Sequence, residues 1–554
     1  MALLLDLFGY LSVVVHGLVI VAQSMTVGSV LFLVFLAVPI ASRVGGEGGR
    51  LAARIARLGF ASAAGLALAE TLFVAMQVAV IADTLDLGVG GVLGANFALA
   101  GLVKIAAAMA LALLLGARGA EAPRLPLLAL ALLVLVSAAF TTHSAARIDG
   151  RLPLLLLEIV HLFGAALWIG GIPAFLIALA SLHGGGPLRL AGARFSRMSM
   201  LGVGCLLCSG LAMSVAYIGD LSGLYGTAYG VMVAAKAAML GLLLLLGLGN
   251  FLLVERLKAV PATPIGRMRR FAEAEIGIGF TVFFAAASLT SVPPAVDLTN
   301  DRVSWPEIVE RSTPRLPRLV SPAHDSLTIS TLQAKLDGEA AGAGTKPPAA
   351  FVPGSGELPP RGAADIAWSE YNHHWAGMFV LAIGILALLA QAGWRPARHW
   401  PLLFVGLGLF LAVRADPDVW PLGNQGLIES LRDVETLQHR AFEILLFAFA
   451  FFEWRVRARG LRTGAAPLVF PLMCAAGGAL LLTHQHAIAN VKDQLLIELS
   501  HTPLALVALL AGWSRWLELR LDPECDPRLI RAAAWVWPTC LALIGLILLV
   551  YREA

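Results

Sequence analysis

Residues 140–171 read FTTHSAARIDGRLPLLLLEIVHLFGAALWIGG. A Thr-His pair and a short polar turn lead into an apolar run whose ionisable members are Glu158 and His161. An apolar run of roughly 20 residues, rising about 1.5 Å each, spans the hydrocarbon core of a bilayer as a helix. The stretch therefore predicts a membrane span entered from a polar turn, with a Glu-x-x-His on one of its faces. Residues 481–513, LLTHQHAIANVKDQLLIELSHTPLALVALLAGW, follow the same plan: Thr-His, a polar turn, an apolar run, Glu498 and His501, then an Ala/Leu-rich stretch to Gly and Trp. We read the two as copies of one unit.

Composition extends this reading to the whole chain. Of 554 residues, 58% are hydrophobic and 14% charged, where a soluble domain carries about 25% charged residues. The fold class is an all-α, polytopic membrane bundle. Net charge is +4 and the basic residues fall in short clusters between apolar runs, which argues against nucleic acid as a partner. Five cysteines scattered along the chain make no disulfide framework. The N-terminal stretch lacks a basic leader region and runs apolar to about Ile40, which predicts a retained first span.

Apolar runs of that length predict about fourteen helices: 7–40, 58–82, 93–116, 125–143, 153–182, 198–218, 229–254, 273–293, 374–393, 400–414, 437–454, 466–484, 493–514 and 532–551. Arginine and lysine cluster in alternate connections, for example Arg43, Arg50, Arg54 and Arg57, then Arg118 and Arg124, then Arg189, Arg194 and Arg197. The positive-inside rule then places both termini outside. Residues 294–372 are rich in Pro, Gly and Ala and form an outer linker or docking segment. The expected organisation is an eight-helix domain over 1–293, this loop, and a six-helix domain over 373–554. The two copies lie eight helices apart, so they share an orientation, as in a parallel repeat.

This topology puts nine of the twelve histidines at the outer face or in the outer half of the membrane: His16, His143, His161, His373, His374, His439, His484, His486 and His501. Ionisable groups within spans are costly and mark cavities, partners or ligands. Glu158 with His161 and Glu498 with His501 are each three residues apart, about 4.5 Å along a helix and on one face. His439 and Glu443, at i and i+4, form a third pair, and His374 opens helix 9. A Glu so placed either ligates a metal beside the imidazole or orients the ring. His484 and His486 suit capture of a metal at a frayed helix end. Metal binding at His143, Glu158, His161, His374, His439, Glu443, His484, His486, Glu498 and His501 is one reading. Haem b held between axial imidazoles, His16 with His161 or His439 with His501, is another. A third is an assembly factor that uses the histidines only for packing. Among other embedded charges, Glu70 and Lys104 are expected to pair, and Lys236 lies on helix 7.

The chain resembles the copper resistance D (CopD-type) family of bacterial inner-membrane proteins. The resemblance rests on THSAA at 142–146, LEIVHLFGAALWIGGIPAF at 157–175, RFSRMSMLG at 194–202, CSGLA at 208–212 and GTAYGVMVAAKAAMLGLLLLLGLGNFLL at 226–253. It implies copper handling, described for the family as uptake into the cytoplasm, often with a small periplasmic copper-binding partner. It points to His143, His161, Trp168, Tyr229 and Lys236. Imidazole suits copper, and Met25, Met198, Met200, Cys205 and Cys208 offer softer donors along a path inward. No phosphate-binding loop, dinucleotide fingerprint or nucleophile elbow is present.

Overall fold

A computed structural model describes residues 2–260, 263–342, 362–460, 464–483 and 491–553. Among the described residues the chain is helical, with one isolated bridge between Val419 and Gln425. The principal helices are α1 (Leu7–Val44), α2 (Gly46–Thr84), α3 (Asn96–Glu121), α4 (Arg124–Ala139), α5 (Arg151–Ser181), α6 (Gly185–Ile218) and α7 (Ala228–Ala259). They continue with α8 (Gly266–Leu289), α9 (Ala363–Gln391), α10 (Arg395–Arg414), α11 (Val434–Arg459), α12 (Ala466–Leu482), α13 (Val491–Arg520) and α14 (Pro527–Leu549). Each expected span falls in one of these helices. Ten of them are long and apolar enough to cross a membrane among the described residues, and α4 and α12 are shorter apolar helices.

The chain divides into two compact units: 11–224 with 232–299, and 300–554 with 1–10 and 225–231. In the first, α2 packs on α3, α3 on α4 and α5 on α6. Proline shapes two of its spans. Pro39 has no N–H and its ring displaces the preceding turn, and α1 absorbs this in a π-turn over Leu33–Ala37. Pro173 opens the second half of α5, Ile172–Ser181, after a break at Gly170 and Gly171. Small residues let the backbones meet. Gly28 of α1 lies directly on Gly170, so a Cβ at either would overlap the other helix, and Gly164 of α5 faces the carbonyl of Gly202 on α6.

The second unit closes into a ring, each of α9 to α14 packing on the next and α14 back on α9. Gly377, Gly384 and Gly545 let α9 and α14 approach. Trp400, Phe404, Phe449, Phe470 and Trp537 fill the centre, with ring centroids 4.4 to 6.2 Å apart. Near the ends of α11 and α13, Arg457 is half-buried and Arg515 buried. Both pair with Glu453, at 2.7 and 3.2 Å, and lie 4.9 and 5.4 Å from the Trp537 ring.

Candidate functional site

In the first unit the polar residues of the spans converge on α5. Ser144, fully buried on the short helix His143–Ala146, donates to Glu158 Oε2 at 3.2 Å. Its oxygen is 2.9 Å from the Tyr217 hydroxyl at the end of α6, which donates in turn. Lys236 of α7 is within electrostatic range of both Glu158 and His161. His161 Nδ1 lies 3.1 Å from Ser209 Oγ on α6.

The state of His161 follows from the hydrogens. Ser209 commits its proton to the Cys205 carbonyl, one turn back, at 2.5 Å. Its oxygen is then an acceptor, so Nδ1 of His161 carries the ring proton and donates it. The neutral ring keeps its lone pair on Nε2, the nitrogen that does not face Ser209. Gly210 of α6 lies against this ring, with room for a Cβ at ordinary contact distance, 3.5 Å from Cε1. His16 on α1 repeats the logic. Thr290 donates to the Ala287 carbonyl at 2.7 Å and accepts from His16 Nδ1 at 3.2 Å, and the ring stacks on Phe73 at 4.8 Å. His16 and His161 stand about three and two and a half turns along their helices from the Gly28–Gly170 contact.

Other predicted residues fall around this core. His143 is in the turn before α5, its Nε2 3.5 Å from the Leu289 carbonyl and its ring 6.5 Å from Tyr217. Burial holds its basicity below the ordinary imidazole value. Glu70 and Lys104 form the expected pair at 3.1 Å, both almost fully buried. Trp168 donates to Glu275 of α8 at 3.3 Å, and Tyr229 is buried near the start of α7.

In the second unit the described imidazoles are engaged with neighbouring groups. His374 accepts from the Arg318 N–H at Nδ1, 2.7 Å, and donates from Nε2 to the Tyr551 carbonyl, 2.9 Å. Both nitrogens are engaged, so this arrangement leaves no lone pair for a metal. Its neighbour His373 is the one that faces His501: their centroids are 6.0 Å apart, and Tyr551 stacks on His373 at 3.9 Å. Nδ1 of His501 is 3.1 Å from Ser500 Oγ, and Glu498 accepts from Thr502 at 3.2 Å. His439 Nδ1 lies 2.7 Å from Asp416, while Glu443 pairs with Arg440 at 2.6 Å. His484 and His486 lie outside the described residues. Among the described residues no three His, Cys, Asp or Glu side chains converge as a metal cluster.

Sequence reasoning gave no site role to Ser144, Ser209, Tyr217, Asn250 and Glu275, although Ser144, Ser209 and Asn250 lie in the stretches that carry the family resemblance. Hydroxyls are common in membrane helices, and only packing shows which of them meet an imidazole. Glu275 carried a signal, an acidic residue inside a span, but its closeness to Arg267, Arg269 and Arg270 disguised it as an end-of-helix charge.

Comparisons agree with the resemblance. Residues 189–289 match the family model of copper resistance protein D. Copper transport protein CutJ of Bacillus subtilis (strain 168) is 32% identical over 163 residues, which is 29% of this chain and 29% of that protein's length. No solved structure matches.

Proposed function

We propose that this multi-pass membrane protein carries copper across the bilayer as cargo, through a binding point built on Glu158 and His161. The observation that supports it most is that the copper resistance protein D segment, 189–289, supplies Ser209 and Tyr217. Through Ser144 and directly, these two hydroxyls order the Glu-x-x-His of α5. The donor chemistry fits the cargo. A neutral imidazole with its lone pair on Nε2 suits copper ions, and Ser209 is the outer partner that fixes the ring. Glu158 supplies the negative charge that lowers the cost of a cation inside the membrane. Two protein donors suit a passing ion, which must leave again, better than a closed structural cage.

In this reading the histidine-bearing ends face the periplasm, as the arginine distribution implies, and the bilayer is the inner membrane. His143 in the turn receives the ion, from a small periplasmic copper-binding protein where one is present. His161 and His16 pass it inward.

Copper entry into proteoliposomes carrying the full chain tests this. His161→Ala and Glu158→Gln are each expected to lower the initial rate at least tenfold, while His374→Ala leaves it near the parent value. Entry at the parent rate in both of the first two variants, or a Soret band with stoichiometric iron in the purified protein, would refute it.

A further inference from the structure

A second polar centre in the first unit lies apart from Glu158 and His161. Between α5, α6, α7 and α8 there is a cavity of about 380 Å³. Trp168, Phe175, Phe195, Phe251, Leu244 and Leu248 are among its apolar walls, and Ser196, Ser199, Asn250 and Glu275 make its polar lining. Glu275 is 3% exposed and sits nine residues into α8 (275 − 266), about 14 Å along the axis from the helix start. Asn250 is equally far from the end of α7 (259 − 250). The cavity therefore lies within the spans, toward their arginine-rich ends.

The hydrogen-bond ledger of this lining leaves acceptors over. Glu275 accepts from Trp168 Nε1 at 3.3 Å and from one N–H of Asn250 Nδ2 at 2.6 Å. The Asn250 Oδ1 and Ser199 Oγ atoms are buried without a partner among the described residues. Left over are the Asn250 amide oxygen, which only accepts, and the Ser199 hydroxyl, which both accepts and donates, beside a carboxylate inside aromatic walls. Buried polar atoms are ordinarily satisfied, and the amide oxygen and the carboxylate both call for a partner that brings N–H or O–H donors. A primary ammonium, with three N–H groups, a positive charge and affinity for aromatic faces, meets each requirement. The volume is in the range of small-molecule sites and far exceeds a bare ion. The outward faces of α6 and α7 carry exposed Leu201, Leu211, Leu245 and Leu252, as lipid-facing helices do.

From this complementarity we infer that the Glu275 cavity binds the ammonium group of an amphiphilic primary amine, its alkyl body lying among the aromatic walls. The inference is independent of copper binding. The shared chemistry admits a free alkylamine or the headgroup of an aminophospholipid.

Native mass spectrometry of the full-length protein in a neutral detergent, titrated with dodecylamine, tests it. Binding of one equivalent is expected, weakened at least tenfold for dodecyltrimethylammonium, which has no N–H donor, and absent for dodecanoate. Glu275→Gln is expected to weaken dodecylamine at least tenfold. Gly247→Leu keeps the carboxylate but fills the cavity, since a Cβ there lies 3.5 Å from Trp168 and 3.9 Å from Glu275, and it is expected to abolish binding. Competition by phosphatidylethanolamine but not phosphatidylcholine assigns the lipid source, and lack of competition the soluble one. Equal binding of the trimethyl compound, or binding unchanged in both variants, overturns the inference.

Discussion

Replacing Ser209 by alanine probes the reasoning about His161 without touching either proposed copper donor. In the parent, the Ser209 oxygen accepts the Nδ1 proton at 3.1 Å while its own proton goes to Cys205. That arrangement fixes both the tautomer and the ring rotation, so the Nε2 lone pair is ready for an ion. Without the hydroxyl the ring can carry its proton on either nitrogen and can turn. Removing an orienting partner of a metal-ligating histidine lowers metal affinity about 10- to 100-fold, equivalent to roughly 1.4 to 2.7 kcal/mol. The Nδ1–H is also left buried without an acceptor, which lowers stability by about 1 to 3 kcal/mol. Equilibrium dialysis of copper against the purified chain reads the first effect and thermal unfolding the second. Ser209→Thr retains the hydroxyl and is expected to restore affinity to within about threefold of the parent. Ser209→Ala protein that binds copper as tightly as the parent, with His161 still required, would show that the serine does not set the imidazole and that the tautomer argument is wrong.

Three further outcomes follow from contacts elsewhere. Glu70→Gln alone leaves the Lys104 ammonium buried and is expected to cost about 3 to 5 kcal/mol, while the pair Glu70→Leu with Lys104→Met recovers most of it, as read from unfolding midpoints. His374→Ala removes the bridge between the Arg318 N–H and the Tyr551 carbonyl and is expected to cost about 2 kcal/mol with copper affinity unchanged. Lost affinity in that variant would show that His374 does serve the metal. Asp418, in the connection after α10, is raised to about 6 from its ordinary 3.8 by burial and by Asp365, Asp416 and Asp433, against His324. Between those values the folded chain holds more protons than the unfolded one, so this group's contribution falls as pH rises from 4 to 6. Asp418→Asn is therefore expected to raise the unfolding midpoint at pH 7 and to leave it unchanged near pH 4. A midpoint difference independent of pH would remove the titration of Asp418 as its cause.

Much of this architecture was legible because bilayer thickness imposes a length on every span, and a polar residue inside an apolar run is conspicuous. Glu70 and Lys104 could be paired from sequence because two opposite charges at comparable depth in neighbouring helices have few other solutions. His373 and His374 show where such reasoning stops. Adjacent helical residues point about 100° apart, and nothing local says which faces the bundle. Packing of the C-terminal Tyr551 decides it, bonding His374 through its carbonyl and stacking on His373 through its ring. The arginines of α11 and α13 make the same point. Arg457 and Arg515 sit in basic clusters at the ends of their helices, and only packing shows that Glu453 and Trp537 draw them toward the bundle.

The two Thr-His…Glu-x-x-His stretches differ in how their imidazoles are held. In the first, the imidazole is tied to a hydroxyl on a different helix, so its orientation depends on how α5 and α6 pack, and Gly164 and Gly202 secure that approach. In the second, a hydroxyl 3.1 Å from Nδ1 belongs to Ser500, the preceding residue of the same helix, and the ring packs edge-on against His373 and Tyr551. Ser209 thus holds His161 across a helix interface, whereas Ser500 moves with His501 and aromatic rings meet it from other elements. The motif spacing is almost the same in both, so spacing cannot be what distinguishes them. The distinguishing feature is the glycine-lined contact that brings a serine from α6 to His161, and it is this contact, more than the count of histidines, that directs the copper reading to the first unit.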